Sequence, residues 1–153
     1  MATHFHMSLV YQARRAGGLD AKVRDLEVLK AAGVNIVAPI DSAPDYSRFR
    51  SQADYYETAR RQSDKNFLVM PNEEVLRGEL ATQLGGHSDV LVSHPVFWSH
   101  GRATGQALVE NNSTYGKIYH VGTPADMMEM AHRENLLLYM PHPRSKGSTG
   151  FPE

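Results

Sequence analysis

Residues 34–40, VNIVAPI, form a short and nearly continuous apolar run that stops at Asp41. A strand with one solvated face alternates apolar and polar side chains, whereas an unbroken run marks a strand covered on both faces, as in parallel sheets. Similar runs recur at residues 66–70 (NFLVM), 89–93 (DVLVS) and 136–140 (LLLYM), with an earlier strand at residues 3–9. Helical patterns separate them. Leu19, Val23, Leu26 and Leu29 recur at helical spacing until Gly33, and Phe49, Ala53, Tyr56 and Ala59 share one face of residues 47–63. Thr123-Pro124-Ala125-Asp126 reads as a helix start, with threonine as cap, proline at the first helical position and aspartate completing a capping box, and the helix runs to about Asn135. Such alternation predicts the α/β class, with β-α units around a largely parallel sheet or a TIM-like barrel in one domain spanning 1–153. Residues 75–84 fit a short strand or a helical turn. Residues 96–122 show no strong period beyond a brief strand at 117–121, and read as a long excursion.

The chain has 153 residues, 41% of them hydrophobic, and no apolar stretch approaches a membrane span. Its net charge of −1 supplies no bulk attraction for nucleic acid or an anionic membrane, so a small-molecule partner is expected. Without cysteine, disulfides, thiolate metal sites and a cysteine nucleophile are excluded. Histidine and carboxylate are then the strong metal ligands available.

These residue types gather at predicted strand ends. His4 and His6 flank Phe5, so a period of two places both imidazoles on one face of the first strand. By itself this spacing fits an inert strand end as well as a ligand pair. Asp41, Glu74, His94 and His142 each lie at or just past the C-terminal end of a run, and His87 opens the fourth strand; parallel α/β folds build their sites at C-terminal strand ends. Glu73 is the register alternative to Glu74. Asp41 serves equally as a ligand or as a hydrogen-bond partner of a ligand histidine. Arg144 and Lys146, with Ser148 and Thr149, follow His142 and suit an anionic group, although a solvated loop has the same composition. His100, His120 and His132 read as surface histidines, Met127, Met128 and Met130 as helix packing, and Trp98 with Phe97 and Tyr115 as a small apolar cluster.

In order, H-F-H, P-N-E-E, G-G-H and P-H-P resemble the polymerase and histidinol phosphatase family of metal-dependent hydrolases, especially its carbaryl-hydrolase-like branch. The resemblance implies a distorted seven-stranded β/α barrel holding two or three ions of zinc, manganese or iron. It implies His4, His6, Glu74, His87 and His142 as ligands; Asp41 and His142 are the residues expected in catalysis, and the cationic loop is expected to bring Arg144 and Lys146 to the substrate. Two motifs depart from the family. Ser42 follows Asp41 where a histidine is usual, and no Asp-x-His closes the chain before Glu153. A fragment or pared-down barrel is therefore expected, with exposed sheet edges that favour self-association.

The expected chemistry is hydrolysis of a phosphoester or of a carboxylic or carbamic ester by metal-activated water. The alternative is a remnant that binds a metal or small ligand without turnover. An amidohydrolase also begins with H-x-H but usually adds a lysine on the fourth strand, and DVLVS has none. No serine, histidine and aspartate stand at recognisable spacing for side-chain nucleophilic catalysis.

Overall fold

The structure is a computed structural model that describes residues 2–40, 49–75, 78–84 and 86–141. It is a mixed α/β fold in which the described residues form five helices and two sheets. In chain order the elements are β1 (Ala2–His6), α1 (Leu9–Ala16), α2 (Arg24–Ala31), β2 (Ile36–Ile40), α3 (Phe49–Gln62), β3 (Leu68–Val69), β4 (Asn72–Val75), α4 (Gly78–Leu84), β5 (Ser88–Leu91), β6 (Phe97–His100), β7 (Val109–Asn112), β8 (Gly116–Val121), α5 (Pro124–Glu134) and β9 (Leu137–Tyr139). One sheet runs β1-β2-β4-β5-β9 with β3 beside β2, and the other runs β6-β8-β7. The pairing is mixed, because β7 and β8 are antiparallel, and the described strands close no barrel. Contacts divide the chain into two compact units, residues 1–73 with 91–95 and residues 74–90 with 96–153.

In the first unit, β2 is buried as its unbroken apolar run requires, and it pairs in parallel with β1, β3 and β4. His6, Ile40 and Asn72 stand level across three strands, at the C-terminal ends of β1 and β2. Leu9 and Ala13 of α1, Leu26 of α2 and Tyr55 and Ala59 of α3 are buried with Val37 and Ala38. The basic character of residues 11–18 hides α1, whose Leu9 and Ala13 face inward one turn apart while Arg14 and Arg15 stay at the surface. Gly17 and Gly18, at φ +126 and +140, then hold the chain out of helix, so α2 begins at Arg24 rather than at Leu19.

Pro39 carries no N–H, so a strand-interior ladder loses a donor there. A separate bridge joins β2 to β4: the Tyr55 hydroxyl accepts from the Asn72 amide at 3.0 Å and donates to the Pro39 carbonyl oxygen. Next to it, the Tyr56 hydroxyl donates to Glu73 Oε1 at 2.7 Å. Two helix tyrosines thus satisfy polar groups that would otherwise keep Asn72 and Glu73 out of the interior. Residues 72–74 are consequently a buried strand and not a polar loop after β3.

In the second unit, residues 96–122 are not an excursion but the three-stranded sheet. Trp98 pairs with Tyr119 in the β6–β8 register, and both are almost fully buried, as are Val121, Met127 and Met130. Met128 departs from expectation at 61% exposure. Phe97 and Tyr115 rings meet at 5.0 Å, in keeping with a local apolar cluster. Burial and the hydrogen bond to Glu134 raise the Tyr119 phenol to about 12. The expected capping box is present: Thr123 Oγ1 accepts from the Asp126 amide at 3.1 Å, and Asp126 Oδ2 accepts from the Thr123 amide at 3.0 Å. His100 is not a surface histidine. Its ring lies 4.7 Å from that of Trp98, and burial pushes its pKa down to about 4.

Replacing Tyr55 by Phe leaves the buried Asn72 amide without its acceptor and should cost about 1–3 kcal/mol, a fall in Tm of several degrees by calorimetry. His100 titrates near 6.5 in the unfolded chain and near 4 in the folded one, so the unfolded state binds more protons between those values. The stability that its burial contributes is complete above pH 6.5 and is lost as pH falls towards 4, on the order of 3 kcal/mol in all. Thermal melts across that range should show the loss, and His100→Phe should flatten it.

Candidate metal centre

The site starts from β1. Its register with β2 shifts between Ala2 and Phe5, and His4 sits at φ +57, in the left-handed region that a branched or bulky side chain occupies only at a cost of about 1–3 kcal/mol. The irregularity lies beside Phe5, the residue paired with Pro39. His4 and His6 therefore do not share a face through simple alternation. A bulge re-aims His4, and the two imidazoles still meet edge to face with centroids 4.8 Å apart. His4 is half-buried and His6 exposed.

Glu74 follows Glu73 along β4, where the chain passes from one unit to the other. Side chains alternate along the strand, which resolves the register: Glu73 is held by Tyr56, while Glu74 is the carboxylate grouped with the histidines. His4, His6 and Glu74 each offer one ligand atom, and the three atoms lie within 4.8 Å of one another. Donors on a tetrahedral zinc at ~2.1 Å stand about 3.4 Å apart.

Within the second unit, His87 Nδ1 stands 2.9 Å from Glu74 Oε1. The Glu74 side chain is 1% exposed and that of His87 43%. A buried carboxylate is costly unless paired, and His87 supplies a nitrogen from the solvent side. His87 thus reaches the site through Glu74 and stands outside the three-donor group. His94 is exposed, with Nδ1 3.3 Å from Ser93 Oγ, and does not join the group. His132 is exposed on α5 as expected. Asp41, His142, Arg144 and Lys146 lie outside the described residues.

One cluster escaped the sequence reading. Ser99, His120 and Glu110 come from β6, β8 and β7 and are joined by hydrogen bonds of 3.1 and 3.0 Å. Spacing of 10 and 11 residues in an aperiodic stretch conceals them; the signal was the alternation in FWSH and KIYHV. No helix among the described residues is long and apolar enough to cross a membrane. No protein-family model, curated protein or solved structure matches the chain.

If the backbone strain at His4 is held for the sake of its imidazole, His4→Gly should relieve it, stabilising the protein by up to about 1 kcal/mol while weakening metal binding. Paired melts and metal titrations check both halves, and a variant that loses stability and keeps affinity would contradict the assignment.

Proposed function

We propose that the chain is a metal-dependent hydrolase of the polymerase and histidinol phosphatase type, with His4, His6 and Glu74 as the ligands of a divalent cation. The observation that supports this reading is the grouping of those three donors at strand positions that the H-x-H and glutamate motifs single out. Two imidazoles and one carboxylate would be the donor set of catalytic rather than closed structural zinc sites. When bound, the cation supplies Lewis acidity, lowering the pKa of water and polarising a phosphoryl or carbonyl oxygen.

The chain's own residues do the rest. His4 and His6 bind from one strand, so their separation is set by the backbone and not by loop sampling. Glu74 brings the compensating negative charge, and His87 fixes its carboxylate through Oε1. The parallel run β1-β2-β4 would then be part of a barrel wall, and the sequence resemblance would give Asp41 and His142 to the metal chemistry and Arg144 and Lys146 to an anionic substrate. The substrate class is a phosphoester or a carboxylic or carbamic ester.

A second reading, binding without turnover, draws on Ser42, which stands where the family places a ligand histidine. The two are separated by one experiment. Zinc or manganese titrated calorimetrically into chelator-treated protein should bind, with His6→Ala and Glu74→Gln each weakening affinity at least about 10-fold and His87→Ala about 10-fold to 100-fold. Chromogenic phosphate and carboxylic esters then report turnover. Metal-stimulated hydrolysis supports the enzyme, metal binding without hydrolysis supports the remnant, and affinity indifferent to all three substitutions overturns the site.

A further inference from the structure

The face of β6 and β8 opposite Trp98 and Tyr119 carries a chain of three side chains. In the parallel register Ser99 lies directly beside His120, with Oγ 3.1 Å from Nδ1. Glu110, on the antiparallel neighbour β7, places Oε2 3.0 Å from the other ring nitrogen, Nε2. The His120 side chain is 12% exposed and that of Glu110 53%, so the imidazole is held between a half-buried serine and a carboxylate at the solvent boundary.

Hydrogen-bond chemistry assigns the protons. A carboxylate only accepts, so Nε2 carries the hydrogen that bonds Glu110. In the neutral ring Nδ1 is then a lone pair, and the Ser99 hydroxyl must donate to it. A serine whose proton is aimed at an imidazole, with that imidazole oriented by a carboxylate on its far side, is the arrangement that activates an oxygen nucleophile, here with the two ring nitrogens exchanged relative to the usual triad. It rests on three hydrogen-bonded strands, which hold the oxygen and the base at fixed separation. Ser99 and His120 are also the penultimate residues of two parallel strands that run the same way. Residues that follow those strand ends, Arg102, Thr104, Gln106, Gly122 and Thr123 with Asp126, line an open surface depression, and Ser99, His120 and Glu110 are not part of its lining.

We propose that Ser99 is a nucleophile that takes an acyl group from small activated carboxylic esters, with His120 as its base and Glu110 as a positioning residue. Ser99 Oγ bonds to the ester carbonyl carbon while its proton passes to His120 Nδ1. The carbon–oxygen bond to the leaving group breaks, the leaving oxygen departs with the electron pair and takes the proton from His120, and an acyl-serine ester remains. Water deprotonated by the same imidazole then releases the carboxylic acid and restores the serine. No metal enters the step, so it stands independently of the metal centre.

The test uses the full chain, chelator-treated so that metal-dependent turnover is silent, with p-nitrophenyl acetate and phenylmethylsulfonyl fluoride as probes. Intact-mass and peptide-mapping spectra should show one acetyl or one sulfonyl group on Ser99. Labelling should vanish in Ser99→Ala and slow at least about 10-fold in His120→Gln. Glu110→Ala should slow it several-fold, with Glu110→Asp restoring part of the rate. The wild-type chain decides the matter whether or not the variants fold: no adduct on Ser99, or adducts spread over other residues at equal rates, overturns the proposal. So does a folded His120→Gln labelled as fast as wild type.

Discussion

A single hydroxyl stands between two paired strands of the first unit. The Tyr55 hydroxyl bridges β2 and β4, donating to the Pro39 carbonyl and accepting from the Asn72 amide. Because this hydroxyl comes from α3, the strand pair and the helix that covers it are tied at one point. Tyr56, next in sequence, secures Glu73 in the same way. The outcome is a strand, β4, in which an asparagine and two glutamates are buried alongside Val75. Without a partner for each polar group, desolvation would exceed anything the segment gains from burial.

That arrangement delivers Glu74 to the site. With Glu73 held on one side, alternation along β4 leaves Glu74 on the other, where His87 Nδ1 stands 2.9 Å from its carboxylate. β1 meets this geometry at some internal cost, since His4 keeps a left-handed backbone that glycine would adopt freely. His4 carries the backbone strain and Glu74 the buried charge. Functional sites concentrate such features, because structures tolerate them where the surrounding contacts over-determine the geometry.

The second unit organises polarity differently. Its three-stranded sheet separates Trp98, Tyr119 and Val121 on a buried face from Ser99, His120 and Glu110 on the other. The buried face also takes in His100, whose imidazole is kept neutral by the loss of water around it. Two histidines that look alike in sequence therefore differ in chemistry: His100 is a packed ring against an indole, and His120 is a ring wired at both nitrogens. Alternation by one residue decides between them.

The buried strand at residues 36–40, the helices around Leu26, Tyr56 and Met130, and the capping box at Thr123 were all legible in the sequence, because each depends on local periodicity or on side chains three residues apart. His4, His6 and Glu74 were legible as candidates for the same reason. The polar strand β4, the bulge at His4, the role of His87 through Glu74 and the Ser99–His120–Glu110 chain were not. Each of these depends on which groups distant in sequence meet across strands, and a polar residue's burial is decided by the partner it finds there. The amino-acid order determined which chemistry the chain contains; the pairing of strands and the hydroxyls of α3 decided which of those groups came together.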